Sequence, residues 1–124
     1  MAARHLTPLF TENFTANLEA IRAFLGEEGS EAYTQLLDRL FDDLLPTLRQ
    51  FPQSGRSFLT HQAGSLEARR AIRRLRDLLL SGDDLREFIL DDYLVLYLIR
   101  GRSIIFLAIK HHRQLSFDLP RFWG

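Results

Sequence analysis

Apolar residues recur every third or fourth position from Phe14 to Leu48 and then run almost without interruption from Leu85 to Ile109, so the chain reads as helices first and strands afterwards. Ahead of both, Leu6 to Phe10 is a short extended run whose Pro8 confines it to a sheet edge. Thr11 is placed to cap a helix carrying Phe14, Leu18, Ile21 and Leu25 at i, i+4, i+7 and i+11, which stops near Gly26 or Gly29. Ser30 is expected to cap a second helix with one continuous stripe: Tyr33, Leu36, Leu37, Leu40, Phe41, Leu44 and Leu48. The short glycine-bearing link makes the two helices a hairpin. Pro46 should kink or restart the second helix, and Phe51-Pro52 with Ser54-Gly55 ends it.

After a polar stretch from Ser57 to Gly64, a third helix is predicted from Ser65 to about Ser81, with Gly82 at its end. It is amphipathic and basic. Ala68, Ala71, Ile72, Leu75 and Leu79 fall on one face, and Arg69, Arg70, Arg73, Arg74 and Arg76 on the opposite arc. From Leu85 the period changes, and Leu85–Leu90, Tyr93–Arg100 and Ser103–His112 read as an antiparallel meander broken by Asp91-Asp92 and Gly101-Arg102. Alternation sends Leu94, Leu96 and Leu98 to one side and Val95, Tyr97 and Ile99 to the other, so a single helical layer cannot cover the sheet. Either the tail from Leu115 to Trp123 or a partner protein is expected on the second face, with Phe122 and Trp123 as the tail's anchor. The elements define an α+β fold: an N-terminal helical hairpin plus an inserted loop and helix (57–84), packed on a small antiparallel β-sheet.

At 124 residues the chain is long enough for one domain, 1–124, and one functional surface. No run approaches the roughly 18 apolar residues of a membrane span, and no charged-then-apolar leader is visible, so the expectation is a cytoplasmic protein with no membrane contact. With no cysteine, disulfide and thiolate chemistry are excluded. The zero net charge hides a segregation: up to Leu48 there are three arginines against eight acids, and beyond it thirteen basic residues against eight. A polyanion or an acidic partner would therefore dock on the second half.

Candidate chemistry concentrates at the end of the last strand. His111 and His112 point to opposite faces; either imidazole could exchange a proton with a ribose 2′-hydroxyl while Lys110 and Arg113 stabilise phosphorane charge. Tandem histidines at a strand end also serve as plain surface or packing residues. The arginine face with Arg69, Arg73 and Arg76 can follow phosphate, dock an acidic protein segment or simply be solvated. Tyr93, Tyr97 and Phe106 offer either a stacking platform for bases or core. His5, His61 and the histidine pair lack acidic companions at ligand spacing, so no metal is expected. There is no phosphate-cradling glycine loop, nucleophile elbow or paired carboxylate at helical spacing, and no cofactor is expected.

Three segments in this order carry a resemblance: Phe51-Pro-x-x-Gly-Arg56, Tyr93-x-x-x-Tyr97, and Ile104-Ile-x-x-x-Ile109-Lys-His-His-Arg113-Gln. Over most of residues 12 to 114 the chain resembles the RelE/ParE superfamily of bacterial toxin–antitoxin toxins. The resemblance implies a functional surface containing Arg56, Lys110, His111, His112 and Arg113, and Arg86 and Arg102 extend the basic set. It implies a cognate antitoxin whose segment wraps the sheet, with a homodimer or a hetero-oligomer with that antitoxin as assembled forms. The ribonuclease branch carries an arginine after the strand-opening tyrosine, where this chain has Leu94, and a late tyrosine, where it has Phe117. The Phe-Pro-x-x-Gly-Arg turn is more similar to the branch that poisons DNA gyrase. The leading expectation is therefore a growth-inhibiting, plasmid-stabilising toxin that binds gyrase. The alternatives are a ribosome-dependent messenger-RNA endonuclease using His111, His112 and Arg113, and a non-toxic member that only binds a partner.

Overall fold

In the computed structural model, which describes residues 6–57 and 77–111, the chain begins with β1 (Thr7–Phe10), α1 (Glu12–Leu25) and α2 (Ser30–Asp38). A π-helical turn (Arg39–Leu44), α3 (Leu45–Gln50) and a 3₁₀ turn (Pro52–Ser54) follow. The strands β2 (Arg56–Ser57), β3 (Asp84–Leu90), β4 (Tyr93–Arg100) and β5 (Ser103–His111) complete it. The five strands lie in the order β1-β5-β4-β3-β2. The predicted helical hairpin on a sheet is the observed α+β architecture.

The sheet is mixed, which corrects the expectation of an antiparallel one. β2 through β5 pair antiparallel, but β1 runs parallel to β5, from Thr7 beside Ser103 to Phe10 beside Phe106. Alternation carries no information about strand direction; a parallel pair needs a connection long enough to return the chain, and here the helical half and β2–β4 lie between the two strands. Pro8 sits on the edge as predicted.

Thr11 caps α1, its hydroxyl accepting from the Phe14 N–H, and the helix closes at Gly26. Gly29 rather than Ser30 holds the cap position of α2, without a side-chain hydrogen bond. The cause is the tight link. The Gly29 N–H returns to Leu25 O and Gly26 O, and a Cβ at this glycine would lie 2.7 Å from both the Leu25 Cβ and its carbonyl oxygen. Pro46 restarts the helix as expected, in α3. It has no N–H to return toward Asp42, and the preceding turn widens, with Leu45 N–H donating five residues back to Leu40 O.

That widening keeps the buried stripe in line. Leu36, Leu40, Leu44 and Leu48 are all buried at strict steps of four, a spacing that drifts about 40° per step around an ordinary 3.6-residue helix. A turn with more residues per revolution reverses the drift. The stripe packs with Phe14 onto Val95, Tyr97, Ile104, Phe106 and Ile109, and each such side chain contributes about 1.5–3 kcal/mol on burial. Phe41, at the margin of the predicted stripe, stays 38% exposed beside Phe10.

Where β1 ends, α1 takes over the hydrogen bonding of β5. β5 bulges between Ala108 and Phe106, leaving Leu107 without a partner on β4. The Leu107 carbonyl accepts from the Thr11 hydroxyl at 3.1 Å and the Asn13 amide at 2.9 Å. The buried Asn17 accepts from the Ile109 N–H at 3.0 Å. These three polar residues cover an edge that would otherwise present open backbone groups.

On the opposite face Leu85, Leu96, Leu98, Leu107 and Ala108 are buried as well, outside the cluster under the helices. The sheet is apolar on both sides, as its sequence required. Asp77 and Leu78 are helical and the helix stops there, short of Ser81. Asp83 ends it by accepting from the Leu80 N–H, and also receives two hydrogen bonds from Arg100. The bonds from Arg100, then Leu80, hold the Asp83 carboxyl below its ordinary range. The predicted helix from Ser65 to Arg76 with Arg69, Arg73 and Arg76, the residues His112 and Arg113, and the tail from Leu115 to Trp123 lie outside the described residues.

Replacing Asn17 by Leu keeps the volume but strands a buried N–H, and should lower unfolding free energy by about 1–3 kcal/mol. Urea denaturation checks the loss, and amide exchange at Ile109 should accelerate more than that of the remaining β5 amides.

Candidate partner-binding surface

The turn from Phe51 to Arg56 is fastened to the sheet by one side chain. Tyr97, fully buried in β4, donates its hydroxyl to Pro52 O at 2.6 Å and accepts from Gly55 N–H at 2.9 Å. Burial pushes this hydroxyl up to about 12, against the opposing pull of the Gly55 N–H and Arg86. Gly55 is a glycine because a Cβ there would sit 2.5 Å from Glu87 O and against the Tyr97 hydroxyl. Arg86 reinforces the same turn. Its guanidinium donates to Gly55 O at 2.6 Å, to Gln53 O at 3.3 Å and to Asp84 at 2.9 Å.

Arg56 leaves this turn as the first residue of β2. Its Nε donates to Glu87 Oε1 at 2.8 Å; the arginine side chain is 52% exposed and the glutamate 1%. Register fixes what lies around the pair. Arg56 stands beside Glu87 and Glu87 beside Leu96; two residues on, Ile89 stands beside Leu94 and Leu94 beside Lys110. All share the face turned away from the helices. Arg56 and Lys110 thus stand on one surface, with the 51% exposed Ile89 and the half-buried Leu94 between them.

The other candidates go elsewhere. His111 pairs with Tyr93 across the strands on the helix-facing side, the rings meeting edge-on at 5.6 Å and 77°. Lys110 and His111 therefore project from opposite faces. Arg102 lies exposed in the β4–β5 turn, its carbonyl accepting from Thr7 N–H at 2.8 Å. Seven or eight strand residues separate it from Lys110, roughly 25 Å at about 3.4 Å per residue. Tyr97 and Phe106 are core, which removes them from any stacking platform.

Glu87 was missed, although its signal is in the sequence: an acid at the apolar phase of Leu85-x-Glu87-x-Ile89. The Arg39 guanidinium, held by two hydrogen bonds to Asp91 and one to Asp43, was missed as well. It braces the π-helical turn against the β3–β4 hairpin, where Asp91 takes a φ of 54°. Their separation of 52 positions hides the pairing from any local pattern. Among the described residues no group of three His, Asp or Glu side chains could hold a metal ion, and no helix is long and apolar enough to cross a membrane.

A helical hairpin on one face of a small mixed sheet, with cations and apolar side chains on the other, is a RelE/ParE-like arrangement. The family described as ParE toxin of type II toxin-antitoxin system, parDE, matches residues 9–116, and the chain belongs to it. It is the toxin of a toxin–antitoxin module, and membership implies an antitoxin partner. No curated protein matches the chain.

Tyr97→Phe leaves Pro52 O and Gly55 N–H without their partner and should cost about 1–3 kcal/mol. The pH dependence has a definite sign. A tyrosine hydroxyl raised from 10.0 to about 12 in the fold contributes full stability below pH 10, which is lost as pH rises toward 12. Denaturation across alkaline pH should show this loss in the native chain, and a shallower one in the variant.

Proposed function

We propose that the chain arrests bacterial growth without catalysis, by binding an essential machine, with DNA gyrase the leading target, and that its antitoxin holds it inactive in the cytoplasm. The observation that carries this reading is the separation of Lys110 from His111. His111 is packed against Tyr93 on the helix-facing side, and Lys110 projects from the other face. General acid–base cleavage of RNA needs a proton donor or acceptor and a phosphate clamp on one reacting centre. Leu94, at the position where the nuclease branch has arginine, lies on the Lys110 side.

Induced expression without the antitoxin should stop growth. Arrest should persist when His111 and His112 are both replaced by Ala, and purified chain should inhibit gyrase supercoiling. Cleaved messenger RNA in arrested cells, with arrest abolished by the double replacement, would instead establish the ribosome-dependent endonuclease. Normal growth at high soluble expression would leave a partner-binding member without toxicity.

A further inference from the structure

The outer face of the sheet is buried in two rows and open in a third. Strand register sets Leu85, Leu98 and Ile105 in the row nearest the β4–β5 turn. Glu87, Leu96 and Ala108 form the next, with Leu107 in the bulge beside them, and Ile89, Leu94 and Lys110 form the last. Leu96, Leu98, Leu107 and Ala108 have no solvent exposure, whereas Ile89 is 51% exposed. Side chains so fully excluded from water have a packed layer of atoms above them. The helices α1 to α3 do not supply it, because their buried side chains belong to the core on the other side.

The path of the chain shows which segment does. β2 ends at Ser57 on the edge of the sheet, beside Arg86 of β3. When the chain returns, Leu78 and Leu80 line a shallow hollow with Arg100 of β4 and Ile105 of β5. β5 is three strands from β2, roughly 14 Å at about 4.8 Å per strand. The chain then enters β3, pinned by Asp83, whose nearly buried carboxylate accepts two hydrogen bonds from Arg100 and one from the Leu80 N–H. Residues 58–76 therefore travel from one edge of the sheet to β5, and the helical hairpin already occupies the inner face.

Dimensions agree with a helix on that path. Twelve residues from Ser65 to Arg76 extend about 18 Å as a helix about 10 Å across, which matches three strand spacings by two rows about 7 Å apart. Ala68, Ala71, Ile72 and Leu75 give this segment an apolar stripe. The tail beyond His111 starts at the opposite end of the face and would reach the buried rows only across Ile89, Leu94 and Lys110, the row left most open.

We propose that residues 65–76 form a helix laid across the outer face, so that this chain covers both sides of its own sheet. The apolar stripe packs on Leu85, Leu96, Leu98 and Leu107, and the Asp83–Arg100 pair fixes the end of the segment. Arg69, Arg73 and Arg76, on the opposite arc, face solvent. Over the two buried rows a partner of this protein meets arginines in place of an apolar sheet. The inference is independent of the toxin reading.

The chain has no cysteine, so disulfide pairing tests the arrangement in the full protein. Leu96→Cys is combined in turn with Ala68→Cys, Ala71→Cys, Leu75→Cys, Arg73→Cys and Phe122→Cys, and each oxidised pair is read by mass. At least one of the first three should bridge within a single chain in most molecules, and the pair with Arg73→Cys should stay reduced. All three apolar positions staying reduced would overturn the proposal. So would a bridge to Phe122→Cys alone, which assigns the face to the tail, or a disulfide-linked dimer, which assigns it to a second copy. Thermal unfolding gives an independent reading. Ile72→Asp should lower Tm by about 5 °C or more, and joint replacement of Arg69, Arg73 and Arg76 by Gln should shift it by less than about 2 °C. An unchanged Tm in Ile72→Asp would show that the stripe is not buried and overturn the proposal as well.

Discussion

The Tyr97 hydroxyl is the contact on which the arrangement of this molecule depends. It sits on a fully buried strand and satisfies two backbone groups of the turn that closes the helical half, Pro52 O and Gly55 N–H. Without it those groups would be unpaired against an apolar sheet, where each is costly. The same bond places Gly55 against Glu87 O, which starts β2 and sets Arg56 beside Glu87. A single phenol therefore links core packing, the Phe51–Arg56 turn and the outer surface.

A second constraint acts at the other edge of β5. β1 is only four residues long, and the strand beside it is nine. Thr11, Asn13 and Asn17 extend the edge protection with side chains instead of a strand. The helix that covers the core also closes the edge, so strand addition at that part of β5 is blocked. On the outer face Leu85, Leu96, Leu98 and Ala108 are buried, and the partly exposed Ile89 and Leu94 stand with the Arg56 and Lys110 cations.

Separation of faces also limits what Lys110 and His111 can do together. Consecutive residues of a strand project oppositely, so Lys110 and His111 cannot converge on one phosphate however suggestive their adjacency.

Much of the architecture was legible because it follows from local periodicity. Thr11 as a cap, Gly26 as a stop, Pro46 as a restart, and the turns at Asp91-Asp92 and Gly101-Arg102 all act within a few residues of themselves. The doubly apolar sheet was equally plain from its unbroken run of leucine, isoleucine and aromatic residues. The resemblance carried by Phe51–Arg56 and Ile104–Gln114 led to the right family. Other features were decided only in three dimensions, because they depend on groups brought together from distant positions. The parallel direction of β1, the pairing of Arg39 with Asp91 and the engagement of Arg86 with the Gly55 and Gln53 carbonyls are of this kind. So is the division of the basic residues between two faces: sequence determined which side chains carry charge, and strand register determined which of them share a face.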